Sequence, residues 1–303
     1  MRNLNGGRRA AMGVAGAAVL LLSLAACGEK ENAGTPGGGP SVTASADADL
    51  AAKVPDAIKA DGVIKVGTDS TYAPAEFLDN DGSTVIGFDV ELFNAVAQKL
   101  GLKAEYESAP FDAILPGVDS GKYEVGVSSF TINTERLKSV NMVSYFSAGT
   151  QWATKKGNPG GVDADNACGK KIAVQTGTVQ VDDITARSKK CTDAGKPAIT
   201  IDQYQAQSDA TAAVVSGKDD AMLADSPVGA YAVKQSGGQL ELLGDIYESA
   251  PYGYAVKKDQ QAFAEVLKEA VQAVIADGTY KAALEKWGVE GGAVTSSELN
   301  PAG

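Results

Sequence analysis

The stretch Asp89-Val90-Glu91-Leu92-Phe93-Asn94-Ala95-Val96-Ala97-Gln98-Lys99-Leu100-Gly101 sets Leu92, Val96 and Leu100 four residues apart and ends on glycine. That spacing predicts an amphipathic helix over 89–100, stopped by Gly101. β-Rich runs flank it, Ile64-Lys65-Val66 before and 104–106 after. The alternation continues with a helix over 111–120, stopped by Gly121, and a strand over 125–127. A second set follows: strand 171–174, helix 179–190, strand 199–201, helix 208–216 and strand 221–223. Pro227 suits the first turn of a helix running to Gln235. Two amphipathic helices close the pattern, 260–276 and 280–287, the second capped by Thr279.

Strand–helix alternation of this kind implies parallel sheets covered by helices, and two separate sets imply two α/β domains. Ligands of such sheets sit beyond the carboxyl ends of the strands, so a cleft between the domains is the expected site. Unusual residues collect there. Gly67-Thr68-Asp69-Ser70-Thr71-Tyr72-Ala73-Pro74 follows the first strand, and Ser128-Ser129-Phe130-Thr131 with Thr134-Glu135-Arg136 follows the third. In the second set, Gln175-Thr176-Gly177-Thr178 opens a helix, and Ala224-Asp225-Ser226 follows the last strand.

One domain thus offers a guanidinium and hydroxyls, the other a helix N-terminus and a carboxylate. An L-amino acid has the matching chemistry: its carboxylate suits Arg136 and free backbone N–H groups, and its ammonium suits an acid. Tyr72 and Phe111 offer rings for the side chain. Plainer roles exist for each: Arg136 as a surface residue paired with Glu135, Asp225 and Thr178 as helix caps, Tyr72 and Phe111 as core.

Outward from the body, Met1 to Arg9 is basic, residues 10–26 are apolar, and Leu24-Ala25-Ala26-Cys27 ends the run. This reads as a signal peptide over 1–26, cleaved before a Cys27 that takes a lipid. A transmembrane helix is the alternative, but about 17 residues rich in Ala and Gly is marginal for spanning. Residues 27–55 read as a flexible linker, with Gly34, Pro36, Gly37, Gly38, Gly39 and Pro40. Lipidation of Cys27 leaves Cys168 and Cys191 as an even pair in an oxidising compartment, which reads as a disulfide; a metal pair is the alternative.

Composition excludes several classes. The 303 residues carry a net charge of −11, which argues against nucleic acid, and contain no histidine, which removes the commonest general base and zinc ligand. No cofactor or metal is expected.

Gly87-Phe88-Asp89-Val90-Glu91-Leu92-Phe93-Asn94-Ala95-Val96-Ala97-Gln98-Lys99-Leu100 resembles the signature of the polar amino-acid-binding proteins of ABC importers, solute-binding family 3. The loops quoted above, and Asp277-Gly278-Thr279-Tyr280, fall in that family's order, so the resemblance spans about residues 63–289. It implies a two-domain periplasmic-binding-protein-like fold (type II, Venus-flytrap) with hinge strands near 145–151 and 248–252. The implied division is 56–148 plus 251–291, 149–250, and a tail over 292–303.

The resemblance also implies roles. Arg136, Thr178 and the Val179 backbone would hold the ligand carboxylate; Asp225, the Ser129 carbonyl and the Thr131 hydroxyl would hold the ammonium. Tyr72 and Phe111 would stack on the side chain. Asp69 stands where members binding basic or amide side chains place an acid, and Gln175 where residues vary with ligand. The sequence departs from the family at Pro74-Ala75, where Pro-Phe is common, and at Val179, where a small or hydroxylated residue is usual. Implied partners are an ABC permease with its ATPase, for a lipid-anchored monomer on the outer face of the membrane. An enzyme of the cyclohexadienyl or arogenate dehydratase kind, and a sensor or adhesin, are the alternatives.

Overall fold

The computed structural model describes residues 41–301. The expected signal peptide and Cys27 lie outside the described residues. Eleven strands are present among these: β1 Val63–Thr68, β2 Thr71–Tyr72, β3 Glu76–Leu78, β4 Val85–Ile86, β5 Lys103–Ser108, β6 Val125–Gly126, β7 Val140–Lys155, β8 Lys171–Gln175, β9 Thr200–Tyr204, β10 Ala221–Asp225 and β11 Leu240–Lys257. Helices Phe88–Lys99, Phe111–Asp119, Val179–Asp193, Gln207–Ser216, Ser226–Gln235 and Gln261–Ala276 lie within a few residues of the predicted bounds.

Eight strands form one mixed sheet in the order β5-β1-β6-β11-β7-β10-β8-β9. Each end is parallel as expected: β1 pairs with β5 and β6, and β8 with β9 and β10. The expectation of separate parallel sheets is corrected at the centre. There β7 and β11, of 16 and 18 residues, pair antiparallel from Val140↔Lys257 to Lys155↔Leu240 and run through both halves. The fold is two-lobed α/β with these two strands as its connections.

Each lobe has a core, with Ala224 and Val228 of the second joining that of the first. Phe93, Leu92, Val96 and Leu100 of the first lobe pack with Leu267, Val271 and Leu284, whereas Ile172, Val174, Ile184 and Leu223 pack with Trp152 in the second. Gly87 enables one close approach: at φ 140°, a Cβ there would stand 2.0 Å from the Ala75 carbonyl oxygen. Helix Phe88–Lys99 therefore sits directly on residues 74–76, with the N–H groups of Phe88 and Asp89 donating to Pro74 and Ala75.

Three details differ from expectation. The linker to residue 55 is shortened from its C-terminal end, because helix Ala48–Lys53 buries Leu50, Val54 joins the same core, and Val42 N–H donates to Glu91 at 2.6 Å. The tail also packs: Leu299 bridges Val143, and Asn300 Oδ1 accepts from Met142 N–H at 2.8 Å. The last long helix is Thr279–Trp287, entered through left-handed Gly278, so Thr279 is its first residue and not its cap. Cys168 and Cys191 are joined as a disulfide.

Candidate functional site

Tyr72, Phe111, Ser129, Thr131 and Arg136 of the first lobe face Thr178, Val179, Gln180 and Asp225 of the second around one cavity. They come from strand ends and helix starts, where backbone groups are free to meet a ligand. Apart from Gln180, all were expected from the sequence.

Arg136 opens a short helix, Arg136–Ser139. Its Nη1 donates to the Thr131 carbonyl at 2.7 Å and its Nη2 to the Gly177 carbonyl, across the cleft, at 3.2 Å. Phe111 and Phe130, stacked 4.7 Å apart, lie 5.4 and 5.5 Å from the guanidinium carbon. Glu135 is ion-paired with Lys138 instead. Burial lowers the Arg136 pKa to about 10, against the opposing pull of Asp225, so the group is cationic at neutral pH.

Asp225 and Thr178 occupy N-cap positions, yet neither side chain makes a capping bond. Thr178 Oγ1 donates to the Gln175 carbonyl at 2.7 Å, which leaves the first-turn N–H groups of helix Val179–Asp193 without a side-chain cap. Asp225 accepts from Tyr252 Oη at 2.6 Å and from Gln180 Nε2 at 2.8 Å, while its N–H donates to Tyr72 Oη at 3.2 Å. Burial raises its pKa; Tyr252, Tyr72, Gln180 and the charge of Arg136 act in the opposite sense.

Asp69 and Gln175 stand beside the cavity rather than on its wall. Asp69 Oδ1 accepts from Thr71 N–H and Oγ1 at 3.0 and 2.7 Å, and Oδ2 accepts from Gln175 Nε2 at 2.6 Å. Gln207 N–H adds a further link across the cleft, to Thr71 Oγ1 at 3.1 Å. The cavity so enclosed is about 10 Å³, room for roughly one water. As it stands the cavity is too small for any molecule much larger than water.

Gln180 and Tyr252 are the residues that sequence reasoning missed. Gln180 Nε2 bridges Asp225 and Thr150 Oγ1, the latter at 3.0 Å. A glutamine in the first turn of a helix opening on a strand-end loop is the one signal that pointed to it. Tyr252 lies on β11 and reads as a hinge or core aromatic.

The arrangement offers a cation and a helix start that no side chain caps at one end and a carboxylate at the other. The family model of bacterial extracellular solute-binding proteins, family 3, matches residues 64–290. An arginine-binding protein of Corynebacterium glutamicum is 34% identical over 97% of this chain and 96% of its own length. A solved ancestral arginine-binding protein, bound to arginine, superposes with a TM-score of 0.69 at 35% identity, over 75% of this chain and 98% of its own. An ancestral amino-acid-binding protein, a precursor of cyclohexadienyl dehydratase, gives 0.66 at 32% identity, over 77% and 98%.

Proposed function

This chain belongs to the bacterial extracellular solute-binding proteins of family 3, and from that premise we propose that it captures a polar L-amino acid with a basic or amide side chain between its lobes and delivers it to an ABC permease. One observation carries the reading: a single cavity sets Arg136 and the uncapped start of helix Val179–Asp193 against Asp225. These are the complements of an α-carboxylate and an α-ammonium held together in one molecule.

In this reading Arg136, Thr178 and the Val179 backbone take the carboxylate, and Asp225, Ser129 and Thr131 the ammonium. Tyr72 and Phe111 line the path of the side chain towards Asp69 and Gln175. Arginine-binding relatives support a ligand rich in hydrogen-bond donors, which a buried carboxylate at Asp69 favours over an acidic one. Binding energy shared between 56–148 plus 251–291 and 149–250 favours the closed state, the form a permease partner would recognise. Cys27, lipidated, would keep the clamp near that partner on the outer membrane face.

Catalysis is not part of the proposal. Dehydration needs an acid–base group free at the reacting atom, and Asp225 is already engaged by Tyr252 and Gln180. Calorimetry across the twenty amino acids tests the reading. Arginine, lysine, histidine or glutamine is expected to bind, and Arg136→Ala to lose about a hundredfold or more in affinity for all of them. Undiminished binding by Arg136→Ala sinks the assignment.

A further inference from the structure

Behind the cleft, in the first lobe, Glu76 and Asp89 are both fully buried side by side. Glu76 begins β3 and Asp89 lies in the first turn of helix Phe88–Lys99; the close approach at Gly87 brings them together. Asp89 Oδ2 accepts from Tyr145 Oη at 2.6 Å, Ser129 N–H at 2.9 Å and Ser129 Oγ at 3.1 Å. Glu76 Oε1 accepts from Ser128 Oγ at 2.9 Å, and that hydroxyl in turn accepts from Asp69 N–H at 3.1 Å.

Asp89 Oδ1 is buried with no hydrogen-bond partner among the described residues. The Glu76 carboxyl flanks it: the Ser129 hydroxyl lies 3.1 Å from Asp89 Oδ2 and 3.5 Å from Glu76 Oε2, so the two acids meet around one hydroxyl. Two carboxyl groups hydrogen-bond only through a proton, because two carboxylates both accept. Ser129, which the pair grips by N–H and hydroxyl, sits at φ 50°, a left-handed conformation that a serine holds only under constraint. The same residue lines the cavity.

We propose that Glu76 and Asp89 are positioning residues: Glu76 carries a proton shared with Asp89, and this bridge fixes the Ser128–Ser129 turn, and through Ser128 the Asp69 loop, in the form that meets the ligand. The inference rests on the reading of the cleft as an amino-acid site, but the proton itself does not. Burial raises the pKa of both groups, Glu76 the further, and the Asp89 charge is the next largest cause for Glu76. The titratable groups facing the pair are Asp69, Tyr72, Tyr106 and Tyr145, with Tyr252, Tyr254 and Tyr280 beyond; none is cationic. A proton is therefore the means of neutralising one acid.

Two measurements test this. Infrared spectra at neutral pH should show the carbonyl absorption of a protonated carboxylic acid in the wild type, lost in Glu76→Gln. A glutamine supplies the donor and acceptor of the protonated acid but no titratable proton, so that variant should bind L-arginine within about threefold of wild type. Asp89→Leu removes the acceptor for Ser129 and Tyr145 and should weaken binding about tenfold or more. Absence of the band, arginine-binding loss or misfolding in Glu76→Gln, or unchanged binding in Asp89→Leu overturns the proposal. If Asp89→Leu does not fold, the infrared comparison decides alone. Should the wild type bind no amino acid, the proposed function falls, while the infrared arm still reports on the proton.

Discussion

Gln175 at the carboxyl end of β8 donates its amide to Asp69 at the end of β1, so the two lobes are latched at 2.6 Å by residues that the resemblance marked for the ligand. The latch uses one Asp69 oxygen, and Thr71 uses the other. Gln175 Oε1, also buried, has no partner among the described residues. A ligand side chain bearing several N–H groups could replace the amide on Asp69 and pair Gln175 Oε1 as well.

Gln175→Ala is therefore expected to open the ligand-free protein, seen as a larger radius of gyration in solution scattering. The same variant should bind a basic ligand more weakly by about tenfold, since one acceptor is lost. A ligand-free radius unchanged from wild type would show that the remaining links, such as Gln207 N–H to Thr71, hold the lobes without it.

Legibility followed local spacing. Helix Phe88–Lys99 was readable because Leu92, Val96 and Leu100 recur every four residues and Gly101 stops the run, although most of the helix is buried. β7 was not, because nearly every residue from Val140 to Thr154 is buried on both faces and no alternation marks it as a strand. The antiparallel centre of the sheet depends on pairing residues as distant as Val140 and Lys257, which local pattern does not carry. Arg136, Thr178 and Asp225 stood out by lying just past strand ends. Glu76 and Asp89 did not, since an acid in sequence reads as surface until a close approach such as that at Gly87 buries it.

The Cys168–Cys191 bridge closes 23 residues of the second lobe and is remote from the cavity lining. Restricting the unfolded chain over that length contributes about 3 kcal/mol. Replacing both cysteines by alanine should lower the melting temperature by on the order of 10 °C. Affinity measured well below melting should stay within about twofold, because no cleft residue loses a partner. A large affinity loss with little change in melting would reverse the assignment.

Stability should also report on Asp89. Burial raises its pKa from 3.8 to about 6, against donors from Tyr145 and Ser129. Between those values the folded chain holds a proton that the unfolded chain has released, so this group's contribution is present at low pH and is lost as pH rises through about 6. Asp81 runs the other way, lowered to about 2 by Thr84 and Ser83, but its change falls below that range; Glu76, raised well above its ordinary value, changes across it, so the total curve hides the Asp89 effect. The comparison is with Asp89→Asn: urea midpoints should show wild type gaining on the variant between about pH 7 and about pH 4.5. A difference constant across that range would mean Asp89 keeps an ordinary pKa.

The connection between the lobes is narrowest in tolerance at Gly149 on β7. A Cβ there would stand 2.6 Å from the Tyr247 carbonyl oxygen, 2.6 Å from Ile246 Cγ2 and 2.7 Å from Ser249 Oγ. The carbonyl belongs to backbone and cannot rotate away. Opposite Gly149, β11 shifts register on both sides of Tyr247, and Glu248 takes φ 51°, so this is where the pair bends between lobes. Gly149→Ala must push β11 outward, costing about 1–3 kcal/mol and displacing one half of the cleft against the other. Arginine affinity should fall with the melting temperature. Gly62→Ala is the control: φ is 77° but nothing lies within 4 Å, so it should cost stability through backbone strain and leave affinity alone. Equal affinity in the two variants would show that the spacing of β7 and β11 does not set the geometry of the site.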